Sequence, residues 1–155
     1  MTLQTGPKAF LDTEVFLRGL VLDEPPYGAL FDGSATYRLA MSDQVFSEIL
    51  DCVRRSASLR AAVPAVAGIS LPDIFNGFDV EIVRIPSSMS LAICRDPGDN
   101  KFLASAMYLE CDYLVTEVAD LLALETNAKW NDFRKANGVT CTVVTPARFL
   151  ELARG

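Results

Sequence analysis

Asp99-Asn100-Lys101-Phe102-Leu103-Ala104 is the stretch on which the fold is decided. It is preceded by Cys94-Arg95-Asp96-Pro97-Gly98 and followed by Cys111-Asp112-Tyr113-Leu114-Val115-Thr116. The Pro97-Gly98 pair marks a turn, and Asp99 opens a helix that carries Phe102, Leu103, Ala106 and Leu109 on one side. Residues 113–115 then read as a short buried strand. A helix that runs straight into an apolar strand is half of a βαβ unit.

The same alternation extends in both directions. Upstream, residues 81–85 alternate in polarity and end at Pro86, which predicts a strand, whereas 61–78 predicts only a helix and loops around Pro64 and Pro72. Ser42 is a good N-cap with Asp43 in the first turn behind it, and Val45, Phe46, Ile49, Leu50 and Val53 recur at helical spacing through Arg55. Residues 36–41 predict a strand, 26–31 a helix after the break at Asp23-Glu24-Pro25-Pro26, and 13–21 another helix. Residues 8–12 predict the first strand, bounded by Gly6-Pro7. Downstream, 121–124 predicts a short helix, 127–138 a polar connection around the single tryptophan Trp130, and 139–144 a β-branched strand. Thr145-Pro146 places an N-cap and a first-turn proline before a helix over 147–153. Strands alternating with helices define an α/β fold, an α/β/α sandwich around a mainly parallel sheet. All 155 residues are expected to form a single domain. In such sheets ligands gather beyond the carboxyl ends of the strands, which is where Asp12 and Thr116 fall.

Composition narrows the chemistry. The chain has no histidine, and its four cysteines, Cys52, Cys94, Cys111 and Cys141, include no CxxC pair. That argues against a zinc centre, removes Ser-His and Cys-His catalysis, and leaves carboxylates to do any catalytic work. The cysteines read as buried free thiols. A net charge of −6 weighs against simple nucleic-acid binding, although a bound divalent cation would offset a local acidic cluster. The longest apolar piece, 61–71, is far short of the roughly 20 residues of a membrane span. The N-terminus has no basic region ahead of an apolar core, so no membrane partner and a cytoplasmic location are expected.

With these pieces in order, the chain resembles the PIN-domain family, in particular the group described as toxin components of toxin–antitoxin systems. The resemblance rests on Leu11-Asp12-Thr13, on 42–55 with Glu48 inside, on 94–106, on part of 112–122, and on Thr145-Pro146-Ala147-Arg148-Phe149-Leu150. It implies a metal-dependent endoribonuclease that hydrolyses RNA phosphodiester bonds, single-stranded RNA above all, with Mg²⁺ or Mn²⁺ as cofactor. Carried over residue by residue, the metal ligands are Asp12, Glu48 and Asp99, with Asp120 added to the catalytic set as an outer contributor. A small antitoxin protein and a second copy of the chain are the implied protein partners.

Two positions depart from the family pattern. Where the family shows Thr-Gly-Asp, this chain has Thr116-Glu117-Val118-Ala119-Asp120, with valine in place of the fourth acid; and Glu14 replaces the usual asparagine after Asp-Thr. Each acid also has a plain structural reading: Asp12, Asp99 and Asp120 as helix caps, Glu48 as a solvent-facing helix residue. Thr116 reads as a hydrogen-bond donor to a carboxylate or as a strand end, Lys101 as a phosphate contact or a surface lysine, and Arg54, Arg55 and Arg60 as a backbone-binding patch or a solvated face. The alternative to a nuclease is a degenerate PIN fold that serves as a binding or scaffold module.

Overall fold

Ala9, Phe10 and Leu11 have no exposed surface, although successive side chains of a strand point to opposite faces. Both faces of this first strand, β1 (Lys8–Leu11), are therefore covered, as an all-parallel sheet requires. The computed structural model describes residues 6–21, 24–25, 27–31, 37–56, 81–84 and 100–154. Within them the further strands are β2 (Arg38–Ser42), β3 (Glu81–Val83), β4 (Tyr113–Val115) and β5 (Thr142–Val144). They form one five-stranded sheet in the order β3-β2-β1-β4-β5, with every pair parallel. Phe10 lies opposite Ala40 on one side and Leu114 on the other.

The order fixes where a ligand would sit. From β1 the chain winds outward through β2 and β3, and the later strands β4 and β5 lie on the other side of β1. The winding direction reverses between β1 and β4, so their carboxyl ends flank the topological switch point. Asp12 follows β1 there and Thr116 follows β4, joined to the ladder by Asp12 N–H donating to Val115 O (3.2 Å) and Thr116 N–H donating to Val144 O (2.9 Å).

The α-helices among the described residues are α1 (Thr13–Phe16), α2 (Asp43–Arg55), α3 (Asn100–Tyr108), α4 (Ala119–Leu122), α5 (Ala128–Asn137) and α6 (Pro146–Arg154). Ser42 caps α2 by accepting from Val45 N–H at 3.2 Å, as its position before the apolar repeat predicts. Thr145 Oγ1 accepts from Arg148 N–H at 3.2 Å, with Pro146 at the first helical position of α6. The helix α3 packs on β1 and β4 and buries Phe102, Leu103, Ala104, Ser105 and Ala106. Phe149 of α6 meets Tyr37 and Tyr113 edge-on, with ring centroids 4.7 and 5.5 Å away. Cys111 and Cys141 are buried free thiols, as expected, whereas Cys52 is free but only half-buried; burial pushes the Cys141 thiol far above its ordinary value.

Four expectations change. Residues 127–138 are a helix rather than a polar connection: Asn127 accepts from Trp130 N–H at 3.1 Å as N-cap, and Gly138 ends α5 in the left-handed conformation at φ 65°. Residues 13–21 divide into α1 and a π-helical turn over Leu17–Val21. The short helix expected at 121–124 starts earlier, as α4, and tightens into a 3₁₀ turn over Ala123–Thr126. The helix expected over 26–31 is a 3₁₀ turn, Tyr27–Phe31. The stretch 61–78 lies outside the described residues, as do Asp96, Cys94 and Arg60. None of the described helices is long and apolar enough to cross a membrane.

Candidate active site

The end of β1 does two things with one side chain. Asp12 is 2% exposed, and its Oδ1 accepts from Val15 N–H at 2.9 Å, capping α1. Its Oδ2 accepts from the hydroxyl of Thr116, across the switch point. Thr116 is itself fully buried and accepts from Val118 N–H at 3.0 Å, which orients its hydroxyl proton toward the carboxylate. The cap reading and the site reading of Asp12 are thus both consistent with the same atom positions.

Burial is the largest influence on Asp12 and raises its pKa from 3.8 to about 6. The bonds from Thr116 and Val15 pull the other way, and the neighbouring carboxylates Glu14 and Glu117 push it further up. A desolvated aspartate with acids beside it is an environment in which a cation is favoured and a bare negative charge is not.

Glu48, on α2, is reached from the same place. Thr13, the residue after Asp12, donates its hydroxyl to Glu48 Oε2 at 2.6 Å. Glu48 Oε1 accepts from the ammonium of Lys101, in the first turn of α3. Both residues are about one-third exposed, and burial lowers the pKa of Lys101. One continuous chain therefore runs along the carboxyl edge: Lys101 to Glu48, Glu48 to Thr13, the peptide to Asp12, and Asp12 to Thr116.

A second set closes the rim. Arg18, on the π-helical turn, donates to Tyr27 Oη at 2.7 Å and lies 4.7 Å above the Tyr27 ring. Its guanidinium also pairs with Glu14 at 3.8 Å and Glu24 at 3.2 Å. The Tyr27 hydroxyl donates in turn to Glu117 Oε1 at 3.4 Å, and burial, followed by Glu117, raises the pKa of that phenol. Arg18 and Tyr27 escaped the sequence reading, since nothing in their spacing marks them as partners across a proline-rich break. Thr13 was legible only as part of the Asp-Thr pair.

Of the expected site residues, Asp12 and Glu48 are brought together through Thr13. Asp120 stands half-buried in the first turn of α4. Asp99 lies outside the described residues, immediately before α3. Among the described residues no three acids or cysteines lie close enough to hold a metal ion, so Asp12, Glu48 and Asp120 do not form a cluster by themselves. The donors near Asp12 are all oxygens, which suit a hard cation; Mg²⁺ commonly takes only one or two carboxylates and completes its shell with water. The residues present fit an ion held in that way.

A parallel α/β sheet with a buried aspartate at its switch point and an acidic rim defines the class: an α/β protein whose working edge is the carboxyl end of the sheet. The family model described as PIN domain matches residues 8–117, and the chain belongs to the PIN-domain family, a nuclease-type fold whose members are generally dependent on divalent metals. The matched region contains Asp12, Glu48, Asp99 and Thr116 and ends one residue before Val118. Among curated proteins, none matches the chain.

Proposed function

We propose that this protein is a Mg²⁺- or Mn²⁺-dependent endoribonuclease acting on single-stranded RNA. The observation that carries the reading is Asp12: a buried carboxylate, raised in pKa, placed at the switch point of a PIN-family sheet and held by Thr116. Asp12, Glu48 and Asp99 are the residues that would hold the ion, with Asp120 as an outer carboxylate. When bound, the ion supplies charge neutralisation at the phosphate and a more acidic water as nucleophile. The chain's own part is orientation. Thr116 fixes one Asp12 oxygen, Val15 N–H fixes the other, and Thr13 turns Glu48 toward the same edge.

The same reading makes the 155-residue chain one PIN-like domain working in the cytoplasm, as the toxin of a pair whose antitoxin is a small protein, with a homodimer as its assembly. Its support is the family membership together with the motifs at 94–106 and 145–150. Purified protein is expected to cut single-stranded RNA in Mn²⁺, and Asp12→Asn and Asp99→Asn to abolish the cut. Cleavage that survives both substitutions counts against the assignment.

One observation favours a second reading, a PIN-fold binding module that has lost turnover. Val118 is the N-cap of α4 and makes no side-chain cap bond, and it stands where the resemblance implies the fourth acid. Val118→Asp separates the two. A rise in cleavage supports the nuclease, whereas retained RNA binding without turnover in either form supports the module.

A further inference from the structure

Nucleic acid is a polyanion, and the edge just described is crowded with Asp12, Glu14, Glu48 and Glu117. A bound ion would neutralise the phosphate that it meets, and further backbone phosphates call for side-chain cations. Among the described residues at this edge, Arg18 is already engaged by Glu14, Glu24 and Tyr27. Arg84 follows β3, the outermost strand, two positions from β1. Lys101 is the cation placed on a proposed ligand: its ammonium sits on Glu48 Oε1, while Thr13 holds the other oxygen.

We propose that Lys101 is a substrate-recognition residue of this site, its ammonium moving from Glu48 to a backbone phosphate oxygen when Glu48 takes a divalent cation. The inference rests on the nuclease reading above. An ammonium and a divalent ion repel each other and compete for the same carboxylate lone pairs, so Glu48 cannot serve both fully. The lysine's four-carbon stem lets the charge swing while its backbone stays in the first turn of α3. The ammonium also lies 5.2 Å from the Phe102 ring, a neighbouring surface that tolerates a cation in transit. The consequence is coupling. Occupation of Glu48 frees a positive charge for the phosphate, and a phosphate that captures the lysine frees Glu48, so each binding event favours the other by the same factor.

Calorimetry tests this without relying on turnover. Mn²⁺ is titrated into the wild type, Lys101→Met and Lys101→Arg, alone and with a single-stranded 2′-O-methyl RNA decamer. In the wild type the decamer is expected to tighten Mn²⁺ binding by about fivefold or more. Lys101→Met is expected to bind Mn²⁺ more tightly than the wild type in the absence of the decamer and to lose most of the enhancement; Lys101→Arg, which keeps the charge, retains most of it. Mn²⁺ binding by Lys101→Met that is unchanged or weaker, or an enhancement that survives the substitution, overturns the proposal while leaving the nuclease reading standing. Asp12→Asn run in parallel separates the two failures: wild-type Mn²⁺ affinity unaltered by Asp12→Asn removes the metal site itself, and the role of Lys101 with it.

Discussion

Asp12, the residue on which the proposed site rests, is costly to the fold. Its carboxyl is raised from 3.8 to about 6, so between those values the folded protein holds a proton that the unfolded chain has released. The stabilising protonated form is present at low pH, and stability falls as pH rises through about 6, by about 3 kcal/mol for a displacement of this size. Asparagine keeps the N-cap and is neutral at every pH. In EDTA, the Tm of Asp12→Asn is therefore expected to match the wild type near pH 4 and to exceed it by several degrees at pH 8; calorimetric scans across that range would show it. A difference that shrinks as pH rises would mean that Asp12 is not a desolvated acid. Thr116→Val takes away the hydroxyl that Asp12 Oδ2 accepts from and should cost about 1–3 kcal/mol in urea unfolding. At this scale the sequence was informative about Asp12 and Glu48, because each follows or sits within a patterned element. It said nothing of Arg18 and Tyr27, whose pairing depends on a π-helical turn that no local propensity encodes.

Elements were legible in proportion to their apolar pattern. The strand 113–115 and the helix beginning after Ser42 were readable from periodicity and capping alone. The helix α5 was not, because Trp130 is its one buried residue and Phe133 is only partly covered, too few apolar positions to reveal a 3.6-residue repeat. Its caps were nonetheless present in the sequence as Asn127 and Gly138. Gly138 adopts φ 65° with open space around it, so Gly138→Ala meets backbone strain rather than a clash and should cost about 1–2 kcal/mol. This helix and the 3₁₀ turn before it protect the sheet. Glu125 accepts from the outward N–H of Val143 at 2.6 Å, and Arg134 donates to Cys141 O at 2.9 Å, the two side chains lying 3.7 Å apart. They take the place of a neighbouring strand at the edge of β5 and blunt it against edge-to-edge pairing. Glu125→Ala combined with Arg134→Ala should expose that edge and raise self-association, read by sedimentation velocity; an unchanged sedimentation profile would mean that the edge is guarded by other means.

At the scale of the molecule, winding order decides which strand ends become neighbours. Asp12 and Thr116 are more than a hundred residues apart and meet only because β4 lies beside β1 where the direction of winding reverses. Alternating strands and helices predicted the parallel sheet, but strand order is set by long-range packing that no local segment carries. A net charge of −6 repels a polyanion, so on the proposed reading a cation at this edge would favour the approach of RNA. The most direct test of that proposal is a crystal structure determined in Mn²⁺ with anomalous diffraction. An ion within coordinating distance of the Asp12 carboxylate, at the carboxyl ends of β1 and β4, is the result predicted; crystals saturated with Mn²⁺ that show no ion at Asp12 would contradict it.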